Sequence, residues 1–450
     1  GVVMPLILSG NVASATAAAY EVTNSCRFEE GRTTSLSRTL GTPTTANVWT
    51  FSCWVKKSKL GDYQNLLAAD VSGSGHRDCI RFQSDGSLTV FFNEVADGEV
   101  KTNRRFRDPS AWYHIVVAVD TTQGTASNRV KIYVNGAQET SLATSSYPAE
   151  DYTCGMNTND EHRIGRDFLY SEYFDGYLAE VCFIDGQQLT PTSFGEFNSD
   201  SPQIWQPIDV SGLTFGNNGV YLDFEDSSNL GNDANGGTDW AENNIAATDQ
   251  ATDTPTNNFA TLNPLHYESR DSTFAEGNLK ITSTGSDSWT THYGISTIAV
   301  SSGKWYVESK VTTVKDSQAI LGIISTEEAI GSSLKDEGVA AVEKSGRITG
   351  GGNNIETGLT AFSNGDIAAV AFDADNGTAQ FYRNGSAYGS AVSSIASDTY
   401  YFATTTYDGS GGVVEFNFGS PPYTISSGNA DGNGYGNFEY SVPSNYLALP

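Results

Sequence analysis

Three pairs of acidic residues stand two positions apart in this chain: Asp97/Glu99, Asp223/Glu225 and Asp373/Asp375. On a β-strand that spacing puts both carboxylates on one face, where an acid and a nucleophile could flank a glycosidic bond. A hydrolytic set written along one strand wants a third carboxylate in register. None of the pairs has one, and the last falls in a hairpin turn. Other catalytic patterns are thinner still. The histidines, His76, His114, His162, His266 and His292, are scattered, and there is no Gly-x-Ser-x-Gly elbow, phosphate loop or His-Glu-x-x-His pair. His114 opens an apolar strand and reads as a half-buried structural residue. No enzymatic activity is expected.

Binding chemistry is better represented. Asp223, Asp226, Asp233 and Asp239 lie in a stretch rich in asparagine and glycine, the oxygen donors a structural calcium ion prefers; the same composition also makes ordinary Asx-turns. Tyr170, Tyr173, Tyr293 and Tyr407 lie in turn-like stretches, where aromatic rings could stack on sugars. The run KTNRRFR (101–107) concentrates positive charge in an acidic protein, so Arg104, Arg105 and Arg107 are candidates for contact with an acidic surface on a neighbouring subunit, or simply a solvated hairpin face.

The elements that must position these residues are strands. The 450 residues include 46 glycines, with 11% aromatic and 17% charged residues, a balance that favours short strands joined by turns. No helical stripe lasts three turns. The formal net charge of -28 sets the chain against nucleic acid, since phosphates repel such a surface. No run of 18 apolar residues occurs, so no helix is expected to insert in a membrane. The five cysteines have no zinc-ligand spacing and read as buried, reduced thiols of a protein folded in a cytoplasm. Residues 1–21, apolar and then alanine-rich, lack the basic start of a signal peptide and read as an attachment arm.

Two stretches share a phrase. VKIYVNG (130–136) and AQFYRNG (379–385) each follow an apolar strand ending in Asp, and each closes on Asn-Gly, a pair that tolerates the positive φ of a tight hairpin. Around the first copy, AWYHIVVAVD, RVKIYVNGAQ and FDGYLAEVCFIDGQQL resemble the laminin G-like or concanavalin A-like lectin/glucanase superfamily. That resemblance implies a two-sheet antiparallel jelly roll over residues 22–197. Around the second, GKWYVESKVTT, DIAAVAFDADNGTAQFYRNG and VVEFNFG resemble a SPRY-type sandwich, a fold usually used to hold a protein partner. This one is assigned to residues 266–423. The repeated phrase is then a hairpin two topologies need, not a duplication.

Between them, residues 198–265 carry no Lys or Arg and abundant Asp, Glu and Asn, and read as an irregular connector; residues 424–450 read as a C-terminal tail. The order of sandwich, TDQATDTPTNNFATLNPL connector, second sandwich and GNGYGNFEYSVPSNYLAL ending is similar to marine bacteriophage structural proteins. The resemblance implies an all-β virion protein, on tail fibre or capsid surface, whose partners are other virion proteins and host-surface polysaccharide. It implies a homo-oligomer, with a trimer the first expectation. A tail-associated depolymerase and a secreted cellular glycan-binding module are the alternatives.

Overall fold

The computed structural model describes residues 20–71, 76–266, 271–284, 293–314, 318–325, 334, 338–406 and 411–449. The chain divides into two compact units, with the boundary between Thr256 and Asn257. Each is an all-β sandwich of antiparallel strands, as the sequence predicts. Among the described residues no helix is long and apolar enough to cross a membrane.

In the first unit one sheet runs Ala137–Gln138, Val130–Val134, Trp112–Asp120, Val48–Lys57, Gly176–Asp185, Ser25–Phe28 and Gln250–Ala251, with Val220–Leu222 also paired to Gly176–Asp185. The facing sheet runs Leu142–Ser146, Gly98–Thr102, Leu88–Phe92, His76–Phe82, Gln64–Val71, Glu161–Ile164, Ser35–Thr39 and Ala241–Asn243. Alternation fills the space between them: Trp49, Phe51, Cys53 and Val55 point inward from one sheet to meet Ile80, Phe82, Leu88, Val90 and Phe92 of the other. All five cysteines are buried and unpaired.

The stretch expected to be an irregular connector is mostly part of this sandwich. Residues 198–256 supply four short strands: Trp205–Pro207 pairs with Gly195–Phe197, Val220–Leu222 with the central strand, Ala241–Asn243 with Ser35–Thr39, and Gln250–Ala251 with Ser25–Phe28. It also forms a third layer, with Val210, Phe215 and Tyr221 packed on Val116, Cys182 and Ile184, and Trp205 on Trp54 and Ala179. This explains why Val48–Lys57 is buried along nearly its whole length rather than on alternate residues.

The acidity of this layer has a structural use. Asp253 meets the Lys56 ammonium at 2.6 Å and accepts the Trp112 indole N–H at 2.9 Å; Asp249 pairs with Arg27 and Arg32; Asp233 lies 3.9 Å from Arg38. Lys56 and Arg27 have no exposed side-chain surface. Burying a charge is costly unless it is paired, so the layer supplies counter-ions that stabilise the sandwich.

The second unit has one sheet in the order Ser272–Ala275, Lys280–Ser283, Val413–Asn417, Lys304–Thr313, Ile367–Asp373, Thr378–Arg383 and Ser386–Val392. The other runs Tyr293–Ile295, Tyr400–Thr405, Ala319–Ser325, Ala340–Glu343, Arg347–Gly350 and Asn353–Glu356. The core between them includes Val307, Val370, Phe372 and Phe381 from the first and Ile323, Val342 and Phe402 from the second. Of the stretch 424–450 expected as a tail, residues 424–449 are built into this unit: Phe438, Ala448 and Leu449 are buried, and Leu447 bridges to Trp305. Beneath them the buried Glu308 carboxylate accepts the backbone N–H groups of Glu439 and Tyr440, the Asn417 amide and the Tyr306 hydroxyl. Burial pushes its pKa up to about 7 even with these donors around it.

Candidate functional site

The site begins with one strand, His76–Phe82. Ile80 and Phe82 join the core, so the alternate residues Arg77, Cys79 and Arg81 face outward. Cys79 stands opposite Ala68 on one neighbour and Phe91 on the other, and Phe168 packs on these three. Two small side chains and two rings make a flat apolar floor.

On this floor cations and rings alternate. The Arg81 guanidinium lies 4.5 Å from the Tyr63 ring centre and 4.9 Å from that of Phe91; Arg77 lies 5.5 Å from Phe91 and 4.7 Å from Tyr170. The row reads Tyr63, Arg81, Phe91, Arg77, Tyr170, each contact within reach of a cation–π attraction. Glu172 bridges the two guanidiniums, bonding Arg81 and lying 3.4 Å from Arg77, and it accepts the Asn65 amide at 3.3 Å.

Tyr170 is carried by a loop whose shape follows from one carboxylate. The buried Asp167 accepts the backbone N–H groups of Leu169, Tyr170 and Glu172 and pairs with Arg77. Arg77, also 2.8 Å from Glu94, is therefore both a rung of the row and the anchor of the loop. The ends of the row reach solvent: Tyr170 is 62% exposed and Tyr63 37%, whereas Phe91 is buried. Two exposed rings flanking a rigid, hydrogen-bonding patch are suited to stacking on the C–H faces of a sugar chain while hydroxyls meet Glu172 and Asn65.

The other residues singled out from sequence fall elsewhere. Tyr173 and Tyr293 are buried, at 7% and 2% exposure, and cannot stack on a ligand as expected: Tyr173 lies against Arg166 and Tyr293 sits in a buried cluster with Ile295 and Ile324. Tyr407 lies outside the described residues. Arg104 pairs with Glu139 at 2.6 Å and Arg105 with Asp85 at 3.2 Å, while Arg107 reaches the Asp85 carbonyl at 3.4 Å. The run is engaged largely with its own domain, as a solvated hairpin face would be.

The four aspartates organise turns. Asp223 accepts the Glu225 N–H, Asp226 the Ser228 N–H and hydroxyl, Asp233 the Tyr221 and Asn235 N–H groups, and Asp239 the Asp233 N–H and the Asn229 amide. Among the described residues no three His, Cys, Asp or Glu side chains are grouped to hold a metal ion.

His114 is fully buried rather than half-buried. Its Nδ1 accepts the Trp205 indole N–H at 2.9 Å, so Nε2 carries the proton and donates to Ser52 Oγ at 2.9 Å. A general base needs the reverse arrangement, and burial pushes the imidazole down to about 3. The acidic pairs are occupied too: Asp97 accepts the Tyr152 hydroxyl, Glu99 the Thr89 hydroxyl, Asp373 pairs with Lys304, and Asp375 accepts the Gly303 N–H. Sequence reading missed Tyr63, Arg77, Arg81 and Glu172. The available signal was two arginines four apart in an alternating strand, which share a face.

Residues 31–192 match the family model described as the concanavalin A-like lectin/glucanases superfamily. No curated protein matches the chain. Among solved structures, a putative carbohydrate binding protein from Bacteroides ovatus is 16% identical, covering 50% of this chain and 59% of its own, with a TM-score of 0.34. The SPRY domain of human HERC1 is 17% identical, covering 31% of this chain and 87% of its own, at 0.26. A pentraxin from Limulus polyphemus is 16% identical, covering 38% and 80%, at 0.28. The chain thus carries a lectin-like sandwich of the concanavalin A-like kind over residues 31–192.

Proposed function

We propose that this protein is a non-catalytic adhesive subunit of a bacteriophage virion, on tail fibre or capsid surface, whose first sandwich attaches to host-surface polysaccharide and whose second holds a neighbouring virion protein. The observation that carries the glycan reading is the row from Tyr63 to Tyr170, an exposed pair of rings on a rigid patch of a lectin-like sheet. The virion reading rests on the order of sandwich, acidic segment, second sandwich and ending along the sequence. Single-face stacking is weak per site, and repeated copies on a particle raise it by avidity, which a symmetric homo-oligomer such as a trimer would supply. Occupied carboxylates and a histidine in the wrong tautomer favour binding over hydrolysis.

The test has two arms. Mass spectrometry of purified particles should contain this polypeptide, and its absence removes the virion role. Fluorescently labelled protein should decorate host cells without releasing sugar from their polysaccharide, and decoration should fall with Tyr170→Ala; sugar release abolished by one carboxylate substitution would make the protein a depolymerase instead.

A further inference from the structure

We infer that the Tyr63–Tyr170 face takes an uncharged polysaccharide chain and rejects acidic ones, an inference that rests on the glycan-binding reading of that face. Arginines on a glycan site ordinarily point to carboxylate or sulfate groups, because a guanidinium offers a planar fork of donors to them. Here each guanidinium on the row already meets a carboxylate. Arg77 meets Glu94, Asp167 and Glu172, Arg81 meets Glu172, and the adjacent Arg163 meets Glu161 at 3.0 Å. An anionic polymer would have to displace a carboxylate from its guanidinium while approaching a protein of net charge -28.

A neutral chain pays neither cost. Its hydroxyls can use the remaining lone pairs of Glu172 without breaking an ion pair, and its apolar faces can stack on the exposed rings. The arginines then act as spacers: stacked between rings, they hold Tyr63 and Tyr170 at the two ends of one rigid row. Two separated stacking points engage an extended chain better than a single sugar, so free monosaccharides should compete poorly.

The experiment is affinity electrophoresis of the full chain in gels containing dextran, mannan, galactan or xylan, and in parallel alginate or dextran sulfate, at about 0.15 M salt, where charges screen within roughly 8 Å. At least one neutral polymer should retard the protein and neither acidic polymer should. Tyr170→Ala and Tyr63→Ala should each weaken retardation about tenfold, the usual size of a stacking hot spot, with melting temperature unchanged. Glu172→Gln, which removes the carboxylate shared by Arg77 and Arg81, should create retardation by dextran sulfate where the parent protein has none. Retardation of the parent protein by alginate or dextran sulfate, lost in Tyr170→Ala, overturns the uncharged-ligand inference and leaves the glycan site standing. Neutral-polymer binding indifferent to both tyrosine variants overturns the assignment to this face. No retardation by any polymer overturns the glycan reading itself.

Discussion

The two sandwiches solve one local problem identically and a second with opposite polarity. In both, a strand ending in Asp turns into a second strand closed by Asn-Gly, with φ of 47° and 79° at Asn135 and Gly136 and 48° and 77° at Asn384 and Gly385. In both, the Asn side chain accepts the N–H of the residue that faces it across the hairpin, His114 or Ile367. In both, an aromatic ring from a later segment lies on the glycine, Trp205 on Gly136 and Tyr440 on Gly385. The covers then diverge. The first sandwich buries cations, Lys56 and Arg27, and its later segment brings Asp253 and Asp249 to them. The second buries an anion, Glu308, and its later segment brings backbone N–H groups. A repeated hairpin therefore says little about ancestry, whereas the buried cations account for two of the acids in the segment that covers them.

The largest effects should come from removing the countercharge. Asp253→Ala leaves Lys56 buried without its carboxylate and should cost about 3–5 kcal/mol, seen in calorimetry as a lower melting temperature of the first unit alone. Adding Lys56→Met should recover much of that loss; a double variant no more stable than the single would show that the pair is not what holds the layer. Glu308→Ala should likewise lower only the second unit, by stranding donors at its cover, with Glu308→Gln milder.

Next come the turns. Gly136→Ala and Gly385→Ala place a side chain at positive φ beneath a ring, and each should cost roughly 1–3 kcal/mol in its own unit. Equal melting temperatures for parent and variants would break the parallel between the hairpins.

Charge linkage sharpens the contrast. Glu308 has a folded pKa of about 7, above its ordinary 4.5, so the native state holds a proton that the unfolded chain releases. Its contribution should be greatest below pH 4.5 and decline as pH rises towards 7, a slope that Glu308→Gln should remove from the second unit's unfolding curves. Lys57 behaves inversely. It is buried with no hydrogen-bond partner among the described residues, over the Phe82 ring at 4.5 Å, and burial lowers it to about 8. The unfolded chain binds the extra proton between pH 8 and 10.5, so stability should rise with pH across that window. The smallest shift is expected from Lys57→Met, a gain of about 1 kcal/mol at neutral pH that flattens this rise.

Much of the fold was legible because alternation and turn residues are local. Strands such as Trp112–Asp120 and Val130–Val134, and the Asn-Gly turn after the latter, announce themselves within a dozen residues. The layer from 198 to 256 was legible only at GVYLDF, which holds the strand Val220–Leu222, because other strands of two or three residues such as Ala241–Asn243 and Gln250–Ala251 are too short to show a period. Its lack of Lys and Arg imitates a solvated linker. Of the stacking residues, Tyr170 was visible as an aromatic in a turn, while Tyr173, three positions on, gave the same signal and is buried against Arg166. Tyr63 and the two arginines are brought to Tyr170 by pairing across strands, which no window of sequence contains.

By itself the sequence determined that this chain forms antiparallel sheets and where its hairpins turn, since each follows from side-chain types a few residues apart. The tertiary structure alone decided which charges are buried, which acids neutralise them, and which rings share a face. Those depend on the register of strands far apart in the chain, where burial turns an acidic stretch into counter-ions and sheet pairing sets two arginines between three rings.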